Sequence, residues 1–190
     1  MSNFITNSST KELKKRISEI IQVSRELKFL VGFFYFSGLK ELINALKQNN
    51  TVELKVLVGL DVDRFNNLLV EYAETESMSD DEKIELFYQS TRKALNSEEF
   101  DTREFYEKIG FFIKLIEENR IIIRKTLDPN HAKLYLFKLS DKEIIKKNLF
   151  ITGSSNLTRS GLSTQNEFNV EISDYGFDEA EKYFDSLWEL

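Results

Sequence analysis

The sequence predicts an α/β fold in which helices cover a mixed β-sheet. Two near-continuous apolar runs, KFLVGFFYF and VELKVLVGL, are typical of strands that are buried on both faces. Amphipathic segments alternate with these runs in the first part of the chain. Three further strand candidates, HAKLYLF, NLFIT and EFNVEI, then follow close together. Alternation followed by clustered strands indicates an α/β sandwich with a mixed sheet.

Helix starts are predicted where a capping residue is followed three positions later by an acidic residue, because the two side chains can cap each other's backbone N–H groups. The four pairs are Ser9 with Glu12, Ser79 with Glu82, Asp101 with Glu104, and Asp178 with Glu181. A fifth, shorter helix is predicted through LKELINALKQ, and RIIIRK adds a strand. The aromatic run GFFYF is expected to be core rather than a platform for stacking bases, because its neighbours are apolar.

Composition limits the class of protein. The 190 residues, with 41% hydrophobic and 13% aromatic side chains, suffice for one well-filled domain. The absence of cysteine excludes disulfides and thiolate metal sites, and it fits a reducing cytoplasm. No signal peptide or membrane-spanning apolar run is present, so we expect a soluble cytoplasmic protein.

The formal net charge of -6 counts mildly against a protein that coats nucleic acid with its whole surface. It does not argue against a local basic pocket, because clefts focus potential. Arg124, Lys125 and Arg159 are the candidates for a basic rim around such a pocket.

The only histidine, His131, lies two residues before Lys133. If HAKLYLF is a strand, alternation puts His131, Lys133 and Tyr135 on one face, so that imidazole and ammonium lie side by side next to an anion such as phosphate. The next strand candidate runs into GSSN, where Ser154 and Asn156 present hydrogen-bonding groups at a strand end. The strand candidate after that has Glu167 and Glu171 on one face, and a carboxylate on a neighbouring strand can hydrogen-bond the second ring nitrogen of His131 and orient the imidazole.

These motifs identify a family. HAKLYLF, followed by ITGSSNLTRSGLSTQNE, resembles the phospholipase D superfamily, whose signature is His-x-Lys, then Gly-Ser-x-Asn after the next strand, then an acidic residue. Ser154, Asn156 and Glu167 fall at the offsets of that signature. FFYFSGLKEL and LKVLVG resemble the opening strands of the same fold. The resemblance implies a single domain over residues 1–190, built as a phospholipase-D-like α-β-α sandwich with a mixed, mostly parallel sheet.

The resemblance also implies a chemistry: a phosphodiesterase that needs neither metal nor cofactor. His131 would act as nucleophile or general acid, Lys133 and Asn156 would hold the phosphate oxygens, Ser154 would support them, and Glu167 would orient the ring. Because two His-x-Lys sets are needed and the chain carries one, a homodimer is expected to complete the site. Lys138 stands where the family motif often has an aspartate, so any role of that aspartate is missing.

Three functions follow from this resemblance. The first is a DNA endonuclease domain, expected at the N-terminus of a longer protein with C-terminal helicase domains. The second is a non-catalytic dimerisation and DNA-binding module of a helicase or restriction system. The third, lipid hydrolysis, is disfavoured because no basic, aromatic-rich amphipathic membrane-surface helix is found.

Overall fold

A computed structural model describes residues 3–8, 11–62, 103–143 and 145–189. Its strands are β1 (Phe4–Ile5), β2 (Ser24–Phe34), β3 (Glu53–Val62), β4 (Ile121–Lys125), β5 (Leu134–Leu139), β6 (Asn148–Gly153) and β7 (Asn169–Ser173). Its helices are α1 (Leu13–Gln22), α2 (Phe36–Gln48), α3 (Arg103–Glu117) and α4 (Phe177–Trp188), with a short π-helical turn at Ser160–Thr164. Every strand candidate of the sequence is found, with ends shifted by a few residues. The predicted helix start at Ser79 lies outside the described residues.

The seven strands form one sheet in the order β1-β7-β6-β5-β2-β3-β4. Strands β2, β3 and β4 pair in parallel, whereas the other four pairings are antiparallel. The predicted mixed sheet is therefore confirmed, but the expectation that it is mostly parallel was wrong. Strands β5, β6 and β7 follow one another without a crossover helix, and parallel pairing would require one.

Helices cover both faces of the sheet, which confirms the α-β-α sandwich. One face is packed by α1, α2 and α3, whose buried side chains share a core with the strands. The opposite face is packed by α4, through Phe177 and Phe184. No helix in the described residues is long and apolar enough to cross a membrane.

Two helix starts differ from the expected capping pairs. The N-cap residue of α1 is Glu12, whose side chain caps no backbone N–H, and the N–H of Leu13 donates instead to Asn7 Oδ1 at 2.9 Å. Ser9 lies outside the described residues. Helix α4 begins after Gly176, whose φ of 69° is the left-handed conformation that glycine adopts without strain. Asp178 therefore lies within the first turn of α4 and does not cap it.

Glu181, the predicted partner of Asp178, instead joins a cluster of ion pairs between α4 and the sheet. Its Oε1 accepts hydrogen bonds from Lys28 Nζ at 2.5 Å and from Lys138 Nζ at 2.6 Å. Asp185 Oδ1 lies 2.7 Å from the same Lys28 Nζ. We call Lys28, Lys138, Glu26, Glu181 and Asp185 the Lys28 cluster. Lys138, at the position of the missing aspartate, thus has a structural role.

Candidate active site

One edge of the sheet gathers the predicted site residues. Residues Leu30, Leu134 and Thr152 lie in register across β2, β5 and β6, and Gly153 pairs with Asn169 at the start of β7. The carboxyl ends of β2 and β6 therefore meet the beginnings of β5 and β7. His131, Lys133, Ser154, Asn156 and Glu167 all lie at this edge.

His131 and Lys133 are in direct contact. Both precede β5 rather than lying within it, which corrects the expected strand boundary, but the spacing still brings the side chains together. Lys133 Nζ lies 2.9 Å from His131 Nε2 and donates to the His131 carbonyl oxygen at 2.8 Å. A protonated Lys133 can only donate, so in that state of the contact Nε2 is the acceptor and the ring proton is on Nδ1. The imidazole is exposed, whereas Lys133 is only 7% exposed.

Asn130 holds the loop that carries His131. Its backbone N–H donates to the Gly59 carbonyl oxygen at 3.0 Å, and its Oδ1 accepts from the N–H of Ala132 at 2.9 Å. Its Nδ2 lies 2.9 Å from the hydroxyl of Tyr183 on α4. A Cβ at Gly59 would lie 1.8 Å from the Asn130 carbonyl oxygen, so this close approach requires glycine. Sequence reasoning missed Asn130 and Tyr183, because they are joined by a contact between distant segments.

Gly32 lies between the imidazole of His131 and the amide of Asn156. A Cβ at Gly32 would lie 3.0 Å from His131 Cδ2 and 3.3 Å from Asn156 Oδ1. Asn156 Oδ1 already accepts from the N–H of Phe33 at 3.0 Å, which fixes the amide. No group of the described residues accepts a hydrogen bond from Asn156 Nδ2. That amide N–H₂ is therefore available to an anion beside His131.

Ser154 and Glu167 form a second polar pair at this edge. The Ser154 hydroxyl donates to Glu167 Oε2 and accepts from the N–H of Phe168 at 3.0 Å. Burial lowers the pKa of Lys133, and the nearby charge of Glu167 offsets that effect only in part. Within the described part of one chain, no hydrogen bond joins Glu167 to His131. The predicted orienting role of Glu167 therefore stays a prediction.

Ser155, the other serine of the GSSN loop, supports the loop from beneath. Its carbonyl oxygen accepts from the Tyr135 hydroxyl at 2.8 Å, and its Oγ accepts from Asn169 Nδ2 at 2.9 Å. Tyr135 and Asn169 are fully buried. Burial raises the pKa of Tyr135, so this phenol stays neutral. Tyr135 was expected on the face of His131, but it belongs to the core and the loop support.

The three cations predicted to form a basic rim have different surroundings in the described structure. Arg124 Nη1 donates to the Trp188 carbonyl oxygen at 3.0 Å, and its guanidinium lies 4.6 Å from the centre of the Trp188 ring. Arg124 therefore secures the end of α4. Lys125 and Arg159 are exposed, and neither forms an ion pair with any described residue. These two remain candidates for contact with an anionic substrate.

The edge thus combines an exposed imidazole whose Nε2 faces Lys133 Nζ, a buried ammonium and an amide donor. Such a set can hold a phosphate and attack it. Among the described residues, no three His, Asp or Glu side chains are grouped as metal ligands.

Comparisons with known proteins place these observations in context. The family model described as "Cardiolipin synthase, PLD-like domain" matches residues 17–188. No match was found among curated protein sequences. The chain is similar in structure to phosphatidylserine synthase from Haemophilus influenzae, with TM-score 0.51 and 18% identity, covering 96% of this chain and 37% of that one.

Two more solved structures are similar. Polyphosphate kinase from Porphyromonas gingivalis gives TM-score 0.50 at 11% identity, over 98% of this chain and 22% of that one. Nuc, a phospholipase D family member from Salmonella typhimurium, gives TM-score 0.49 at 14% identity, covering 98% of this chain and 92% of that one. The similarity to the synthase and the kinase shows a shared fold. Because those two proteins have different names and activities, the fold alone does not select a substrate.

Proposed function

The chain belongs to the PLD-like domain family of the phospholipase D superfamily, and from this membership we propose that it is a metal-independent phosphodiesterase that cuts DNA. The proposal includes a phosphohistidine intermediate and a site that a second copy of the chain completes. The observation that carries it is the contact between Lys133 Nζ and His131 Nε2. The contact joins a buried cation to an exposed imidazole, and no carboxylate of the described residues hydrogen-bonds the cation.

The resting contact also suggests how substrate starts the reaction. In the free protein, Lys133 occupies the lone pair of His131 Nε2. A phosphodiester entering the site offers Lys133 an anionic oxygen, which is a stronger partner than a neutral imidazole. Asn156 Nδ2 donates to a second oxygen. Nε2 is then free to attack phosphorus.

The proposed reaction has two steps. A bond forms between Nε2 and phosphorus while the bond from phosphorus to the leaving oxygen breaks, and an acid protonates that oxygen. Water then attacks phosphorus, returns a proton to the group that acted as the acid in the first step, and breaks the phosphorus–nitrogen bond, which restores the imidazole. The sequence contains one histidine. We therefore assign the acid to His131 of a second copy in a symmetric dimer, whose ring enters the reaction as the imidazolium and regains its proton from water.

The biological setting is also part of the proposal. The variant of the motif with GSSNLT and the later NE resembles PLD-like domains that accompany helicases and some restriction endonucleases. This resemblance favours DNA as the substrate, a cytoplasmic location, and a place at the N-terminus of a longer helicase-like protein. The chemistry of the site is compatible with any exposed phosphodiester.

The test compares the protein with His131→Ala on plasmid DNA in EDTA. We expect EDTA-resistant cutting that the variant loses, and a dimeric mass by light scattering. Lys14→Ala changes a residue on α1 away from the proposed site. This variant controls for effects of substitution and purification, and it should cut DNA normally. Equal DNA binding by protein and His131→Ala without cutting would instead support the binding and dimerisation module. A strictly monomeric protein that cuts DNA would overturn the shared site.

A further inference from the structure

The aromatic run GFFYF does not all enter the core. Phe34 is fully buried, as expected, but Phe33 is half-buried and Tyr35 is 36% exposed. The register of β2 shifts between Val31 and Phe33, which interrupts regular alternation at this point. Two aromatic rings are thereby left at the edge of the sheet that carries His131.

These rings form a continuous series with the imidazole. The centre of the Phe33 ring lies 6.2 Å from that of His131, with the two planes at 84°. The centre of the Tyr35 ring lies 6.3 Å from that of Phe33, with the planes at 62°. The N–H of Tyr35 donates to the Leu157 carbonyl oxygen at 3.1 Å, so the backbone beneath the exposed ring is fixed to the GSSN loop.

A cation lies on the same side of the site. The N–H of Arg159 donates to Ser37 Oγ at 3.4 Å, which places the exposed Arg159 beside the segment that carries Tyr35. No described residue forms an ion pair with its guanidinium. An exposed aromatic ring together with an unpaired cation, both next to a phosphate-binding centre, is the combination by which proteins hold single-stranded nucleic acid.

We propose that Phe33 and Tyr35 form a stacking platform for bases next to the cleaved phosphate, with Arg159 on a neighbouring phosphate. Single-stranded DNA is then preferred over a duplex, because the faces of bases in a duplex are already stacked on each other. This inference rests on the proposed function for the identity of the nucleic acid. It adds that the site recognises the bases of the substrate as well as its phosphates.

The experiment measures binding in a His131→Ala background, so that no strand is cut. Fluorescence anisotropy compares a labelled single strand, its duplex, and a strand of abasic sugars with the same phosphates. The variants are Tyr35→Ala, Tyr35→Phe as the conservative control, and Arg159→Ala.

We expect the single strand to bind more tightly than the duplex. Tyr35→Ala should weaken single-strand binding about tenfold and leave binding of the abasic strand unchanged, whereas Tyr35→Phe should behave as the parent. Arg159→Ala should weaken binding of the normal and the abasic strand to the same extent. The mass by light scattering should be the same in all variants.

Three results would overturn the platform. The first is an equal loss of affinity for the normal and abasic strands in Tyr35→Ala. The second is a variant that changes the oligomeric mass. The third is a Tyr35→Ala effect that appears only on binding to phosphatidylglycerol vesicles. Because binding is read without cleavage, failure of the platform is separate from failure of the nuclease. The protein can cut DNA in EDTA without a platform, or show base-dependent binding without cutting.

Discussion

Two buried lysines, one within strand β2 and one just before strand β5, have opposite surroundings. Lys28 on β2 is 6% exposed, and its ammonium is hydrogen-bonded to Glu181 and Asp185. Lys133, which precedes the neighbouring strand β5, is 7% exposed, and its hydrogen-bond partners are the Nε2 and carbonyl oxygen of His131. Burial opposes the charge of both. The carboxylates outweigh that effect and raise the pKa of Lys28, whereas the pKa of Lys133 is lowered.

The difference separates a structural cation from one that lacks an anion. The carboxylates of α4 neutralise Lys28, so its charge holds the helix on the sheet. The charge of Lys133 is balanced only at a distance by Glu167, so an entering phosphate would stabilise it. The comparison therefore supports a phosphate site at Lys133 and none at Lys28.

The largest expected effect is on catalysis. Lys133→Met should lower the rate of DNA cleavage about a thousandfold, because the charge that builds up on phosphate loses its cation. Its stability to urea should be unchanged or higher, since a buried charge without a carboxylate partner is removed. Cleavage rates and urea unfolding curves check both parts. A variant that cuts normally would contradict the assignment of Lys133.

The matching change at Lys28 should reverse this pattern. Lys28→Met leaves Glu181 and Asp185 with one cation fewer, and the free energy of unfolding should fall by about 3 kcal/mol. The cleavage rate of the folded fraction should stay near that of the parent. Lys55→Met is the control, because Lys55 Nζ lies 3.6 Å from Glu26 Oε1 at a more exposed position and should contribute less than about 1 kcal/mol.

A smaller effect, on the stability of the fold, should depend on pH in the acidic range. Burial alone would raise the pKa of Glu181, but hydrogen bonds from Lys138 and Lys28 outweigh it and lower that pKa. The ionised carboxylate therefore stabilises the fold above the usual glutamate pKa of about 4, and that stability is lost as pH falls through the lowered value. Glu181→Gln should be less stable than the parent at neutral pH. The gap should narrow below pH about 4, as measured by urea unfolding across pH; a constant gap would contradict this account.

The smallest effect concerns the support of His131. Tyr183→Phe removes the hydroxyl that accepts from Asn130 Nδ2, and Asn130→Ala removes both side-chain hydrogen bonds of Asn130. We expect kcat to fall about threefold in the first variant and about tenfold in the second, with KM almost unchanged. Steady-state kinetics with a thermal melt separate positioning from unfolding. Equal losses of kcat and folded protein would assign these residues to stability alone.

The strands and the sandwich could be predicted because apolar runs and alternation are local signals. Proximity of His131 and Lys133 was also predictable, because two residues of extended chain suffice to bring them together. The start of strand β5 was not predictable from the sequence, because the strand begins at Leu134, where its backbone pairing with β2 begins. The antiparallel majority was missed because pairing direction depends on how β5, β6 and β7 are connected.

Long-range contacts account for the other differences. Glu181 satisfies a helix-capping pattern, yet it pairs with Lys28, which is distant in the sequence. Tyr35 lies in an apolar run, and only the shifted register of β2 and the position of the GSSN loop leave it exposed. Neither contact has a local signature. The orienting role of Glu167 concerns an assembled site, which one chain does not contain.

The proposed covalent intermediate on His131 follows from an imidazole that shares its phosphate site with a buried ammonium. An oligonucleotide labelled at the end that stays with the phosphate is mixed with the protein, quenched in denaturant during turnover, and analysed by peptide mass spectrometry. The account predicts label bonded to the peptide that contains His131, and none after His131→Ala. Full cleavage with no bonded label, or label on another residue, would contradict it.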